Sequence, residues 1–254
     1  MIFYKNISLN YTETGIGKPV ILLHGFLENS TMWKDLIPKL KCRTIAVDLL
    51  GHGKTDSLGY IHTMEDMADA VLAVIKALHI KNAHFIGHSM GGYVALALAK
   101  SSPTLFNGLC LMNSTFEADD EERKELRTRA NKMIQTNFNN MVRVSFANLF
   151  ATKSKTIYKT AYEKALVEAL KTSRQGYMAA QEGMKIRLDH FDTFKNLKGK
   201  KLIIIGRKDP VINSDILIKK VEHTDIEITE LSEGHMSHIE NKSELSYFLN
   251  LFIE

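Results

Sequence analysis

Three residues far apart in the chain, Ser89, Asp209 and His235, have the side chains that covalent acyl transfer requires. A serine hydroxyl is a weak nucleophile at neutral pH, and it needs a general base within hydrogen-bond reach. Histidine suits this role because its pKa lies near the working pH. A carboxylate then fixes the tautomer of the histidine and stabilises the imidazolium that forms in the reaction. The chain order nucleophile, acid, histidine fits these three residues.

The serine lies within Gly87-His88-Ser89-Met90-Gly91, between a short apolar run and an alanine-rich run. We predict a strand before the serine, and a helix after it because alanine favours helix. A turn this tight strains the serine backbone and crowds its neighbours, so the flanking positions must lack a Cβ atom. The spacing Gly-x-Ser-x-Gly in this context indicates a nucleophile elbow rather than an ordinary structural turn.

Two backbone amides are candidates for binding the charge that develops on the substrate oxygen. Met90 N–H stands at the start of the predicted helix, directly after the serine. The second donor should come from the loop after the first buried parallel strand, where His24-Gly25-Phe26 leaves the sheet. Gly25 allows a close approach of the backbone. Phe26 N–H and Met90 N–H are therefore the expected oxyanion hole.

Alternating strand and helix patterns must position these residues. Residues 2–14 alternate and are expected to open the sheet with two antiparallel strands. Apolar runs predict buried strands at 19–23, 44–48, 83–86, 108–112 and 201–205. Such alternation implies right-handed crossovers and an α/β fold, with a mainly parallel sheet covered on both faces. Reactive groups gather at the carboxyl ends of such strands, and Ser89, Asp209 and His235 each follow one.

The segment 115–188 breaks this alternation. It is charged, it has helical patterns, and it lacks strand signals, yet it is too apolar and too periodic to be disordered. We therefore predict a helical lid at 115–188, inserted into a core domain made of residues 1–114 and 189–254. The arginines of the predicted lid that could select an acidic substrate are Arg127, Arg129, Arg143, Arg174 and Arg187.

These motifs together resemble the α/β-hydrolase superfamily. The matching segments span almost the whole chain: 23–26 (Leu-His-Gly-Phe), Asp48 with 51–53 (Gly-His-Gly), the elbow 87–92, 206–209, and 234–235. The resemblance implies an eight-stranded sheet with helices on both faces, a cap inserted after the sixth strand, and a catalytic triad at Ser89, Asp209 and His235. Leu50 stands where the family usually has proline or arginine, and we expect a loop adjustment there.

Two of the assigned residues have rivals nearby. His238 lies three residues after His235, but a glycine directly after the last predicted strand favours His235. Some relatives take the acid from the strand before the lid. The acidic residues at that position, which fit better as first-turn residues complementing a helix dipole, are Glu117, Asp119 and Asp120. Structural roles in shaping loops are expected for the other motif histidines, which are His24, His52 and His88.

Composition limits the remaining possibilities. A chain of 254 residues with 44% hydrophobic residues can bury one sizeable core. The net charge of +4 is spread along the chain, so no nucleic-acid partner is expected. Cys42 and Cys110 are expected to be reduced core thiols. We find no metal-ligand spacing, no phosphate loop, no leader pattern and no membrane span, so we expect a cytoplasmic protein without cofactor or metal.

These observations predict a cofactor-free serine hydrolase that cleaves a small carboxylic ester or a related acyl compound through an acyl-enzyme. Its expected partner is a small, partly apolar substrate, and the chain is expected to be a monomer or a homodimer. The resemblance leaves two alternatives open. One is C–C hydrolysis, or elimination as in a menaquinone-pathway synthase whose His-Gly-Phe-Leu segment is similar to 24–27. The other is a small-ligand receptor with vestigial hydrolysis.

Overall fold

The computed structural model describes residues 2–254 and contains one large sheet. Residues 2–254 contain nine strands: β1 (Ile2–Tyr4), β2 (Ile7–Leu9), β3 (Tyr11–Thr14), β4 (Pro19–Leu23), β5 (Arg43–Val47), β6 (Ala83–His88), β7 (Phe106–Met112), β8 (Lys200–Gly206) and β9 (Glu227–Leu231). The large sheet has seven strands in the order β3-β5-β4-β6-β7-β8-β9. Only β3 runs antiparallel, which confirms the predicted mainly parallel α/β sheet.

The expected count of eight strands in this sheet is wrong for residues 2–254. Strands β1 and β2 pair only with each other, and β3 alone joins the large sheet. A tight turn at Lys5 and Asn6, both with positive φ, closes the β1–β2 hairpin. Asn10 then redirects the chain, because its amide donates to Thr55 Oγ1 and its side chain donates to Asp48 Oδ2. The hairpin is therefore held apart from the large sheet.

Helices connect the strands and cover both faces of the sheet. In residues 2–254 they are α1 (Met64–Ala77), α2 (Met90–Ser101), α3 (Glu121–Met133), α4 (Phe138–Ala147), α5 (Ser154–Ile157), α6 (Lys159–Ala169), α7 (Arg174–Lys185), α8 (Phe191–Asn196), α9 (Ser214–Val221), α10 (Ser237–Glu240) and α11 (Lys242–Ile253). None of these helices has the length and apolarity that crossing a bilayer requires.

An apolar cluster lies on each face of the sheet. Ile21 and Leu23 of β4 belong to the cluster that α1, α2 and α9 cover, whereas Val20 and Leu22 belong to the cluster that α11 covers. Successive strand side chains point to opposite faces, so one continuous apolar run supplies both clusters. The carboxyl ends of β4, β6, β8 and β9 are thereby fixed between two packed layers, and the site residues follow these ends.

Helices α3 to α8 lie between β7 and β8 and include most of the segment that we expect to be a lid. The insertion follows the fifth strand of the seven-stranded sheet, not a sixth strand, because β1 and β2 stand apart. A third apolar cluster joins this segment to the core: Phe146 and Tyr177 pack with Leu27 and Met236. Where the boundary between lid and core lies stays a prediction.

Candidate active site

The structure brings Ser89, His235 and Asp209 into one hydrogen-bonded chain. His235 Nε2 lies 2.9 Å from Ser89 Oγ, and His235 Nδ1 lies 2.8 Å from Asp209 Oδ2. An ionised carboxylate only accepts, so Nδ1 carries the proton and the Nε2 lone pair faces the serine hydroxyl. His235 is fully buried, whereas Ser89 is partly exposed. This geometry places the imidazole against a partly exposed serine hydroxyl, as a general base and its nucleophile require.

Strand β6 and helix α2 hold Ser89 in a strained backbone conformation. Its φ is 49° and its ψ is −116°, in the region that residues with a Cβ atom rarely adopt. Glycine is required on both sides: a Cβ on Gly87 would lie 2.5 Å from Gly91 O, and a Cβ on Gly91 would lie 2.3 Å from Leu23 O. The predicted strand–turn–helix context is therefore present, together with its steric reason.

Asp209 lies in the turn after β8, where several donors surround its carboxylate. Oδ1 accepts from the amides of Val211 and Ile212 at 2.7 and 3.0 Å. Burial alone would raise the pKa of Asp209, but His235 and the two amides outweigh burial and lower this pKa overall. Asp209 is therefore ionised at neutral pH, as a partner for an imidazolium must be.

Met90 and the turn that carries Phe26 both lie next to Ser89. Met90 is the first residue of α2, and Phe26 lies in the turn that follows β4. Within residues 2–254, neither amide donates to an acceptor of the protein. A Cβ on Gly25 would lie 3.2 Å from Ser89 Cβ, so the Phe26 turn packs directly against the nucleophile. Both amides are free to bind a developing negative charge near Ser89.

The rivals to the assigned residues occupy other positions. His238 Nε2 faces Glu28 Oε1 at 3.5 Å and makes no hydrogen bond with Ser89 among residues 2–254. Among the three acidic residues Glu117, Asp119 and Asp120, only Asp120 caps α3. Glu117 and Asp119 precede the helix, so their expected placement in its first turn is wrong. Asp119 instead forms a buried ion pair, as described below. No rival therefore competes for contact with Ser89 or His235.

The other motif residues hold loops. His24 Nε2 accepts from the amide of Leu49 at 2.9 Å, and His52 Nδ1 donates to Leu50 O at 3.0 Å. Burial lowers the pKa of His52 to about 3, so its ring is neutral. Asp48 accepts from the amide of Ser30 at 2.7 Å and from other donors around it. Structural roles account for all of these contacts.

Sequence reasoning missed two buried polar residues at the site. Asn113, at the end of β7, donates from Nδ2 to Asp209 Oδ2 and to Gly234 O, at 3.2 Å in each case. Glu28 accepts the amide of Gly25 at 2.8 Å and contacts His88 Nδ1 at 2.6 Å. Neither residue belongs to a motif. The only sequence signal for Asn113 is its position directly after a predicted apolar strand. Glu28 has no such signal in the neighbouring sequence.

Glu28, His88 and His238 also bring ligand-type atoms within 4.8 Å of one another. Two ligands of one tetrahedral zinc ion, each about 2.1 Å from it, stand about 3.4 Å apart. The contact of 2.6 Å between His88 Nδ1 and Glu28 Oε2 is shorter, and it is the distance of a direct charge-assisted hydrogen bond. The arrangement fits a proton between these atoms better than it fits a metal ion.

The arginines of the predicted lid are paired or exposed. Arg127 Nε and Arg187 Nη1 each donate to Asp119 at 2.5 Å, and Asp119 is 4% exposed. Burial alone would raise the pKa of Asp119, but the two guanidinium groups lower it overall. Arg129 pairs with Glu125 on the surface. The other two arginines considered, Arg143 and Arg174, are exposed.

The fold and the strand–turn–helix serine define the α/β-hydrolase class, and the comparisons agree. The family model described as alpha/beta hydrolase fold matches residues 18–242. The chain therefore belongs to this family. Its structure is similar to that of a malate-bound thermophilic esterase from Thermogutta terrifontis, with a TM-score of 0.88 and 26% identity over 96% of this chain and 92% of the esterase.

Curated relatives match in sequence as well. An uncharacterized protein of Mycobacterium tuberculosis is 35% identical over 102 residues, which are 39% of this chain and 30% of that protein. The match thus spans less than a third of that relative's length. The (E)-2-((N-methylformamido)methylene)succinate hydrolase of Acinetobacter baylyi is 21% identical over 98% of this chain and 95% of its own.

Proposed function

We propose that this protein is a serine esterase that cleaves a small carboxylic ester without a cofactor. Ser89 Oγ attacks the ester carbonyl while His235 Nε2 takes its proton. The oxyanion of the tetrahedral intermediate is bound by the amides of Phe26 and Met90. His235 then gives the proton to the departing alkoxide, which leaves as the alcohol. A water molecule, deprotonated by His235, releases the acid from Ser89.

The observation that carries this proposal is the unbroken chain from Asp209 through His235 to Ser89, at 2.8 and 2.9 Å. In this register His235 can take the proton of Ser89 while Asp209 holds the imidazole in the required tautomer. The two free amides beside Ser89 add the second requirement of acyl transfer. The similarity to an esterase at 26% identity supports the same chemistry.

The surroundings of the Phe26 turn favour a partly apolar substrate. The Phe26 ring packs on the Tyr177 ring with centroids 4.8 Å apart, and Phe138 packs on the other side of Tyr177 at 6.5 Å. Tyr177 of helix α7 is fully buried and supports the partly exposed Phe26 ring next to the proposed oxyanion hole. Aromatic and aliphatic linings recognise apolar acyl or alcohol groups through area burial.

An acidic substrate is the second candidate, since one relative that spans nearly the whole chain is named for hydrolysis of a substituted succinate. Recognition of a dicarboxylate favours an arginine with free donors. Arg127 and Arg187 already share the carboxylate of Asp119, so their charge is partly neutralised. This pairing disfavours Arg127 and Arg187 as ligands of an acidic substrate, so the lyase alternative would depend on the exposed Arg143 and Arg174.

The remaining parts of the proposal follow from the same site. We propose a small-molecule substrate, no nucleic-acid partner, a cytoplasmic location, and a chain that acts as a monomer or a homodimer. The lid at 115–188 is proposed to cover Ser89, because its aromatic cluster contacts the Phe26 turn. A small-ligand receptor would need only slow or single-turnover hydrolysis, and turnover counting separates it from an esterase.

A fluorophosphonate label tests the nucleophile, and p-nitrophenyl esters of increasing acyl length test turnover. The wild-type protein should be labelled once, at Ser89, and should turn over acetate or butyrate esters many times. Ser89→Ala should lose both labelling and turnover. Ser101→Ala, at the far end of helix α2, is the matched control and should keep both. Wild-type activity surviving in Ser89→Ala would refute the proposed mechanism.

A further inference from the structure

A second set of hydrogen-bonded side chains, Glu28 and His88, lies next to the Ser89–His235–Asp209 contacts and joins three segments of the site. His88, the residue before Ser89, is 1% exposed, and its Nδ1 lies 2.6 Å from Glu28 Oε2. Its Nε2 lies 2.9 Å from the backbone oxygen of His235. The same Glu28 oxygen accepts the amide of Gly25. Glu28 and His88 therefore connect the oxyanion turn, the elbow and the loop of the general base.

The partners of His88 determine its charge. A carboxylate oxygen and a backbone carbonyl only accept hydrogen bonds, so both ring nitrogens of His88 must donate. A neutral imidazole has one N–H group and leaves the other nitrogen with a lone pair. With Glu28 ionised, as its pKa of about 2 requires, only the imidazolium satisfies both contacts at 2.6 and 2.9 Å. The buried positive charge is matched by the buried negative charge of Glu28.

We propose that Glu28 and a doubly protonated His88 form a permanent buried ion pair that positions the general base His235 and the oxyanion turn. This inference rests on the proposed function, because it assigns positioning roles within the same site. Neither side chain touches the nucleophile's hydroxyl; both act through the backbone of Gly25 and His235. The pair makes the distance between His235 and Ser89 depend on charge rather than on packing alone.

The groups around the pair support this charge state. Burial lowers the pKa of His88, but the charge and hydrogen bond of Glu28 raise it overall. Burial alone would raise the pKa of Glu28, yet His88 and His238 lower it to about 2. Burial lowers the pKa of His238 to about 4, so that ring is neutral. The titratable groups that face His88 are Glu28, His24, Asp209, His235 and His238.

Glu28→Gln removes the negative charge but keeps the size and shape of the side chain. The Gly25 amide still needs an acceptor, so the glutamine oxygen takes the place of Oε2 and continues to accept from His88 Nδ1–H. Without the carboxylate, burial drives the second proton off His88 Nε2. A lone pair then faces the carbonyl of His235, and the contact that positions the base is lost as the pH rises.

The first test is the pH profile of kcat/KM for p-nitrophenyl acetate. The wild-type profile should reach a plateau that stays level to pH 9. Glu28→Gln should give a bell-shaped profile, with a loss of about 10- to 100-fold at pH 8. Glu240→Gln is the matched control, because Glu240 accepts the amide of Met236 from the same loop but has no contact with His88. Its profile should keep the wild-type shape.

The second test reads the charge of His88 without activity. Nitrogen-15 NMR of histidine-labelled wild-type protein, assigned with His88→Gln, should show two protonated ring nitrogens on His88 from pH 5 to 9. One unprotonated nitrogen at pH 7 would overturn the proposal, and so would a Glu28→Gln profile of wild-type shape. If the wild-type protein failed to hydrolyse any ester, the proposed function would fail while the NMR result still decided this inference.

Discussion

Asp209→Asn isolates the effect of the His235 tautomer. The amides of Val211 and Ile212 require an acceptor at Oδ1, so the asparagine oxygen takes that position. Its NH₂ group then stands at the Oδ2 position and donates toward His235 Nδ1, which lies 2.8 Å away. His235 must accept at Nδ1 and carry its proton on Nε2. In that tautomer it cannot take the proton of Ser89.

The expected loss follows from this reversal. In a serine triad the wrong tautomer lowers kcat by about 10⁴-fold, or about 5.4 kcal/mol of activation free energy. The KM for p-nitrophenyl acetate should change by less than about threefold, because Asp209 lies behind the histidine and does not contact the ester. Removing one charged hydrogen-bond partner should also lower the unfolding free energy by about 1–3 kcal/mol. The fold should stay intact.

Steady-state kinetics with urea unfolding of the same samples tests this prediction. Asp119→Asn is the matched control: this aspartate is buried, paired with cations and close in sequence to the alternative acid position, yet it has no contact with His235. It should lose about 3–5 kcal/mol of stability but keep kcat within about tenfold. A 10⁴-fold loss in Asp119→Asn, with Asp209→Asn within tenfold of wild type, would refute the assignment of the acid.

Three further outcomes follow from packing and charge. Gly91→Ala should lower stability by about 3 kcal/mol and the Tm by about 6–12 °C, because its Cβ would lie 2.3 Å from Leu23 O; calorimetry checks this. Tyr177→Ala should raise the KM for longer acyl chains by removing the ring that packs on Phe26, whereas Tyr177→Phe should not, and an ester series distinguishes them. The folded pKa of Glu28, about 2, lies below its unfolded value near 4.3, so its stabilisation is full above about pH 5 and is lost as the pH falls toward 2; urea unfolding from pH 7 to 3 should show the decline.

The contact of Ser89, Asp209 and His235 was predictable because its constraints are local. Ser89 needs glycine on both sides for steric reasons that act within five residues, so the spacing alone reports the turn. Asp209 and His235 each follow an apolar strand, and parallel strands place their carboxyl ends at one edge of a sheet. Neither inference required knowledge of long-range contacts. The structure accordingly places these three side chains in one hydrogen-bonded chain.

The strand count was not predictable in the same way. Residues 2–14 alternate as strands do, and the pattern cannot say which neighbour each strand pairs with. The separation of β1 and β2 from the large sheet depends on Asn10, whose amide and side chain bond to residues 45 and 38 positions away. Such contacts become visible only when the loops have been placed.

The Glu28–His88 pair shows the same limit at the site itself. The two residues lie 60 positions apart, and each has an ordinary interpretation in sequence: a loop glutamate, and a histidine that shapes the elbow. A charged side chain is rarely buried unless a partner of opposite charge compensates it. The structural role of Glu28 therefore depends on His88, which is buried beside it. Motif spacing therefore predicts which atoms react, because backbone sterics are local. What holds those atoms in register is a buried charge balance, and only the folded chain determines it.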